Sequence, residues 1–347
     1  MKKLLLTAFA MVLALTGCSA SSSAEKDNKD KDTVVIGFSM ATIQEERWTK
    51  DRNYFMADAK DLGAQVIVTN SDNDPEQQLK DVKYLLQQKI DVLVITPQSA
   101  TNAAQCVELA KQEGIPVLSY DRLVLNAGAD VYVSFDSHMV GQKMAEAAVK
   151  AVPKGNYLLI HGSPEDNNSK YFRAGYEDYL YPFRARQDIK VVGEKSAKDW
   201  RREEAYYFVQ EYMQRGEKID AIICANDGLA SGAVEALAES QQAGKVIVTG
   251  HDAELSACQR IVEGTQLVTI YKPIRTIAQK AAEVAIQLAR HEKINYTETI
   301  NDGKYNVPNI KLDVIAVDKN NMDDVIIKDG FHLRDEVYQN ISPEKTK

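Results

Sequence analysis

Lys89-Ile90-Asp91-Val92-Leu93-Val94-Ile95 and Lys218-Ile219-Asp220-Ala221-Ile222-Ile223-Cys224 carry the same phrase twice. In each, a basic-apolar-acidic lead-in opens onto an aliphatic run with no polar alternation. A strand buried on both faces reads this way, and such strands belong to parallel sheets covered by helices on both sides. The first copy continues through a polar loop, a helical stretch and Gly114 to a strand ending at Tyr120-Asp121-Arg122. The second continues through Asn226-Asp227, a helical stretch and Gly244 to a strand ending at His251-Asp252. One supersecondary plan used twice predicts two similar lobes. In each, an aspartate sits just past the carboxyl end of a strand, where open parallel sheets hold their ligands.

Working outward, further aliphatic strands are expected at Val34–Phe38, Val66–Val68, Val131–Phe135, Tyr157–His161, Lys190–Val192, Leu267–Ile270 and Val314–Val317. Helical stretches separate them. Ile274, Ile277, Ala278, Ala281, Ala285 and Leu288, for example, recur at the spacing of one helix face. The β-α-β-α order gives an α/β fold of mostly parallel sheets flanked by helices, with right-handed crossovers.

The N-terminus reads as a targeting segment. Lys2 and Lys3 precede an apolar run from Leu4 to Leu15, too short for a comfortable membrane span. The run ends in Leu15-Thr16-Gly17-Cys18, the pattern of a bacterial lipobox, which predicts a signal peptide over 1–17 and lipidation of Cys18. After Cys18, the rest of 18–32 is Ser, Ala, Lys, Asp, Asn and Glu, a polar tether with nothing large to bury. The protein is therefore expected outside the cytoplasm, anchored to a membrane without crossing it.

Forty-two Lys and Arg against 50 Asp and Glu give a net charge of -8, which does not point to nucleic acid. Besides Cys18 there are Cys106, Cys224 and Cys258, in apolar contexts without CxxC or His spacing. They read as buried small hydrophobes, with a disulfide left open. The five histidines show no paired metal spacing, and no P-loop, HExxH or GxSxG occurs. No cofactor, metal or catalytic residue is expected. Carboxylates are abundant enough that a glycosidase pair is not excluded by counting alone.

The two tryptophans, Trp48 and Trp200, lie among charges after strands, in what read as polar loops. A large aromatic in such a place either packs between lobes or covers a ligand, and the apolar face of a sugar ring suits it. Around them fall Arg47, Asp121, Arg122, Asp166, Asn167, Asn168, Asn226, Asp227, Asp252 and Lys272. Carboxylates accept from sugar hydroxyls, while guanidinium and amide groups donate to neighbouring oxygens. Asn226-Asp227 also reads as a helix N-cap. His161 and His251 end strands and read as supporting or solvent-facing groups.

With these residues in place, the chain resembles the type I periplasmic binding proteins for sugars, and more narrowly the D-xylose-binding subfamily of bacterial ABC transporters. The resemblance spans about residues 33–335. It is carried by Glu46-Arg47-Trp48, Tyr120-Asp121-Arg122, Gly162-Ser163-Pro164-Glu165-Asp166-Asn167-Asn168, Arg173-Ala174-Gly175, Asp199-Trp200, Ala225-Asn226-Asp227, Gly250-His251-Asp252-Ala253, Tyr271-Lys272-Pro273 and Lys328-Asp329-Gly330-Phe331. It implies sugar hydrogen bonds from Arg47, Arg122, Asp166, Asn168, Asn226, Asp252 and Lys272. It implies stacking by Trp48 and Trp200, with Asp121 and Asn167 as close neighbours. It further implies a monomer that hands a monosaccharide, D-xylose foremost, to an ABC permease. The same closing cleft would serve a sensor subunit for a membrane histidine kinase. The implied lobes are 33–135 with 271–301, and 136–270 with 302–335, joined by a three-strand hinge near Asp136, Tyr271 and Asn301, with a tail over 336–347. Two places depart from the family: His251 stands where glutamine is expected, and Ala41-Thr42-Ile43-Gln44 lacks the acidic residues expected there.

Overall fold

The computed structural model describes residues 33–296 and 298–341. The expected signal peptide, Cys18 and the whole of the tether lie outside the described residues. Ten strands alternate with helices up to Tyr271, except that the fifth follows the fourth with no helix between them. They are β1 (Val35–Met40), β2 (Gln65–Asn70), β3 (Val92–Ile95), β4 (Val117–Tyr120), β5 (Val131–Phe135), β6 (Gly155–His161), β7 (Ile189–Ser196), β8 (Ala221–Cys224), β9 (Ile247–His251) and β10 (Val268–Tyr271). The helices are α1 (Glu46–Asp61), α2 (Pro75–Gln87), α3 (Ala104–Gln112), α4 (Ser137–Ala151), α5 (Asn167–Ala185), α6 (Arg202–Gln214), α7 (Asp227–Glu239), α8 (Leu255–Glu263), α9 (Ile274–Ala289) and, near the end, α10 (Arg334–Val337). Strands β11 (Glu298–Asn301), β12 (Asn306–Leu312) and β13 (Ile315–Val317) complete two sheets.

The first sheet has the order β11-β12-β5-β4-β3-β1-β2 and the second β13-β10-β9-β8-β6-β7. All pairings are parallel except β11 with β12 and β10 with β13. Every residue of β3, β4, β5 and β8 is buried, as the unbroken aliphatic runs require. The doubled phrase falls on β3 and β8, which occupy interior positions in their sheets.

All eleven expected strands form, but β11 and β12 were not foreseen. β11 is a polar edge strand, Glu-Thr-Ile-Asn. β12 contains Pro308, which argues against a strand. Pro308 is tolerated because the register with β5 begins one residue later, at Asn309, so no N–H is missed on that side. The hairpin between β11 and β12 is pinned to the first sheet by Asp302. Its carboxylate accepts from Lys304 N and Tyr305 N within the turn, and from Ala127 N and Gly128 N just before β5. Gly303 adopts φ 105° at the tip, a backbone conformation that glycine takes without a Cβ penalty.

This corrects the expected boundary near Asn301. The chain stays in the first sheet through Leu312, so residues 302–312 do not belong with the second. The expected tail also begins too early. Val337 is buried and packs with Met322, Ile326 and Phe331 against Ala253, Cys258, Ile261 and Tyr271. Cys106, Cys224 and Cys258 are buried free thiols, which answers the open disulfide question for them. Among the described residues, no helix is long and apolar enough to cross a membrane.

α4 and α5 approach each other closely through Gly141 and Gly175. A Cβ at Gly141 would overlap the Phe172 carbonyl, and one at Gly175 the His138 carbonyl. Backbone cannot yield as a flexible side chain can, so Gly175→Ala should destabilise by about 1–3 kcal/mol. A denaturant titration that showed wild-type stability would contradict this packing.

Candidate functional site

The loops at the carboxyl ends of the strands converge on one small cavity. Arg47 and Trp48 lie in the first turn of α1, which follows β1. Asp121 and Arg122 follow β4, and Asp166 and Asn168 open α5 after β6. Trp200 ends a short 3₁₀ turn after β7, Asn226 follows β8, Asp252 follows β9 and Lys272 follows β10. Each of these ten side chains lines the cavity. Three of them hold positive φ, Asp121 at 58°, Trp200 at 58° and Asp252 at 97°. Non-glycine residues rarely sit there, and such backbone strain concentrates where side chains must be aimed.

Arg47 organises the charges. It is 3% exposed and meets three carboxylates, Asp51 at 3.1 Å, Asp121 at 3.0 Å and Asp252 at 3.3 Å. Tyr120 donates its hydroxyl to Asp51. Lys272 adds a second cation, 3.2 Å from Asp252 and 3.9 Å from Asp121. Arg122 pairs with Asp166 at 2.8 Å. Burial alone would raise every carboxyl here. At Asp51 burial wins over Arg47, and its pKa is raised. At Asp121 burial is overcome by Arg47 and Lys272, which hold the carboxyl below its usual range. Asp252 is likewise held low against burial, by the Lys272 and Arg47 cations beside it. Asp166 stays raised, because burial outweighs Arg122 and the Asn168 N–H.

Local backbone contacts fix the rest. Asp166 caps α5 by accepting from Asn168 N at 2.9 Å, and Asn226 caps α7 by accepting from Leu229 N at 2.9 Å. Asn168 donates through Nδ2 to the Asp121 carbonyl at 2.9 Å, while its Oδ1 accepts from Ser137 at 3.2 Å. Its orientation is therefore set. The Trp48 indole donates to Glu45 at 2.8 Å and has the Arg47 and Arg122 guanidinium groups 4.4 and 5.0 Å from its ring centroid. Trp200 stands 6.3 Å from both the Phe172 and His251 rings, edge to face.

Four readings from sequence change. Trp48 is a helical residue, 3% exposed, not a loop residue. Asn167 lines a neighbouring cavity with Glu165, Lys170 and Arg173, and is not in this one. Asp227 is a buried structural group, accepting from Thr269 at 2.7 Å, Gln266 at 2.8 Å and Glu254 N at 3.1 Å. His251 is not solvent-facing, being 2% exposed and part of the cavity wall. Glu45, Phe172 and Asp51 escaped notice. Asp51 had a visible signal, four residues from Arg47 on one helix face. Phe172 had none, since its role depends on which face of α5 meets the second sheet.

The set contains donors and acceptors in mixture, with aromatic walls. It suits a small neutral molecule with several hydroxyls. Among the described residues, no cluster of three or more His, Cys, Asp or Glu could hold a metal ion.

The family described as the periplasmic binding protein domain matches residues 36–293. A D-xylose-binding periplasmic protein of Haemophilus influenzae is 42% identical over 328 residues, 94% of this chain and 98% of its own length. Its Escherichia coli namesake is 42% identical over 305 residues, covering 88% and 92%. A carbohydrate transporter solute binding protein of Chloroflexus aurantiacus, solved with D-glucose, superimposes with a TM-score of 0.82 at 28% identity, covering 88% of this chain and 98% of that one. These relatives are binding proteins, not enzymes.

Arg47→Met should cost about 3–5 kcal/mol near neutral pH, because buried carboxylates lose their counter-charge. The sign with pH follows. The lowered pKa values of Asp121 and Asp252 add stability above the unfolded carboxyl pKa, and this is lost as pH falls through the folded one. Without Arg47 those folded pKa values rise, so the deficit should narrow from about pH 7 toward about pH 5. Thermal unfolding of both proteins across that range checks it, and a constant deficit would refute it.

Proposed function

This chain belongs to the periplasmic binding protein family, and on that footing we propose that it binds a monosaccharide, D-xylose foremost, in the cavity between its sheets and delivers it to an ABC importer. The observation that carries this is the wall itself: Arg47, Asp121, Arg122, Asp166, Asn168, Asn226, Asp252 and Lys272 with Trp48 and Trp200 around one small space. The names of the 42% identical relatives support xylose. Lipidation at Cys18 would hold the protein at the outer face of the cytoplasmic membrane, which rests on the lipobox pattern alone.

The lobes would be 33–135 with 271–312, and 136–270 with 313–341. Closure of one on the other captures the sugar. Two clasps beside the cavity support a hinge. On one side Ser99 donates to Glu165 at 2.9 Å, and Ala100 N donates to the Glu165 carbonyl at 2.9 Å. On the other, Leu255 N donates to Glu46 at 2.9 Å and Lys50 donates to the Phe331 carbonyl at 2.9 Å. Each joins an element of the first-sheet half to one of the second. A ligand shifts the open-to-closed equilibrium only by its preference for the closed state.

Hydrogen bonds to charged groups contribute roughly 1.5–3 kcal/mol each. Closure and ordering costs leave a net of about 8–10 kcal/mol, micromolar to sub-micromolar binding. Asp252→Ala should abolish measurable D-xylose binding by calorimetry while unfolding remains cooperative. Undiminished affinity would sink the assignment of the site. A panel of xylose, arabinose, ribose, glucose and galactose on the wild type decides the sugar.

Glu165→Ala touches only a clasp. It should weaken apparent affinity about two- to tenfold, because the closed state loses one side-chain hydrogen bond. Small-angle scattering should show more open protein at sub-saturating sugar. Wild-type affinity and scattering would remove that clasp from the closing device.

A further inference from the structure

His251 is the one cavity residue whose lone pair faces another acceptor. Its Nδ1 lies within hydrogen-bond reach of the Ala225 carbonyl. A carbonyl only accepts, so Nδ1 carries a hydrogen. Nε2 then lies 3.3 Å from Oδ1 of Asp252. That oxygen already faces two cations, Arg47 at 3.3 Å and Lys272 at 3.2 Å. A third cation there would be redundant. Burial drives the imidazole pKa down to about 3 against the pull of Asp252, with Lys272 and Arg47 acting in the same direction as burial. The Phe172 ring, 4.6 Å away, and Trp200 hold the imidazole from the sides. Nε2 and Oδ1 therefore stand side by side in the cavity wall, both bearing lone pairs and neither with a hydrogen to share.

We propose that His251 is the selectivity-setting acceptor of this pocket: Nε2 takes a hydroxyl hydrogen from the sugar beside the hydroxyl bound at Asp252. The inference rests on the proposed function and sharpens it. A neutral hydroxyl resolves the facing lone pairs, because it can donate to one and present its oxygen to Arg47 or Lys272. A ligand that places an ether, a carbonyl or a carboxylate there adds a third acceptor, and one that places hydrogen there leaves the pair uncompensated. A buried site built around a hydroxyl discriminates strongly against analogues without it. Leucine at this position would be indifferent, and glutamine would keep an acceptor in its side-chain carbonyl.

Calorimetry of the wild type, His251→Gln and His251→Leu against D-xylose and its 2-, 3- and 4-deoxy forms tests this. Should the wild type prefer another monosaccharide, the deoxy series of that sugar is used. The wild type should favour the parent sugar over each deoxy form. In His251→Leu one of these preferences should fall by about tenfold, the loss of one hydrogen bond, while the other two change less than about twofold. His251→Gln should keep most of the affected preference, and His251→Phe, which fills the space without an acceptor, takes the place of the leucine protein if that does not fold. Unchanged preferences, or all three falling by one common factor, would overturn the inference while leaving wild-type sugar binding intact. A wild type that binds no monosaccharide would overturn both this and the functional reading.

Discussion

The site depends on one buried cation. Arg47 is almost fully buried and relies on Asp51, Asp121 and Asp252. Burying a guanidinium is costly unless its hydrogen bonds are satisfied, and three carboxylates from three different elements do so. Because Asp51 and Asp121 belong to the first-sheet half and Asp252 to the second, the same contacts that stabilise the charge also tie the halves together across the cavity. Lys272, just beyond β10, reinforces the tie at Asp252 and Asp121.

The fold explains why such groups can meet. In parallel sheets every strand runs the same way, so each carboxyl end delivers its loop to one edge. Two sheets whose carboxyl edges share one cavity bring the segments after seven strands to it. Aiming the side chains costs backbone strain at Asp121, Trp200 and Asp252, and the surrounding hydrogen bonds hold them there. Ser134 and Tyr132 both donate to the Asp121 carbonyl, at 2.7 and 2.9 Å, and Asp252 N donates to the Ile270 carbonyl at 3.0 Å.

The parts of this architecture readable from residues were those with local causes. Unbroken aliphatic runs marked β3 and β8 because a strand covered on both faces has no polar side. Strand-end aspartates, the Asn226 cap and the two tryptophans were visible because their neighbours in sequence are also their neighbours in space. Residues whose role comes from distant partners were not visible. Phe172 and Glu45 look like ordinary positions until α5 and the loop before α1 are packed.

By itself, the sequence determined the α/β class, the doubled lobe plan and the strand-end location of ten cavity residues, since periodicity and local chemistry are written in order along the chain. Tertiary structure alone decided that residues 302–312 stay with the first sheet, that Asn167 faces a different cavity from its neighbour Asn168, and that His251 is a wall residue. Those outcomes depend on contacts between residues far apart in sequence: Asp302 with the loop before β5, the rotation of α5 against α4, and the meeting of Ala225 with the end of β9. No local pattern records which of two distant groups a side chain will face.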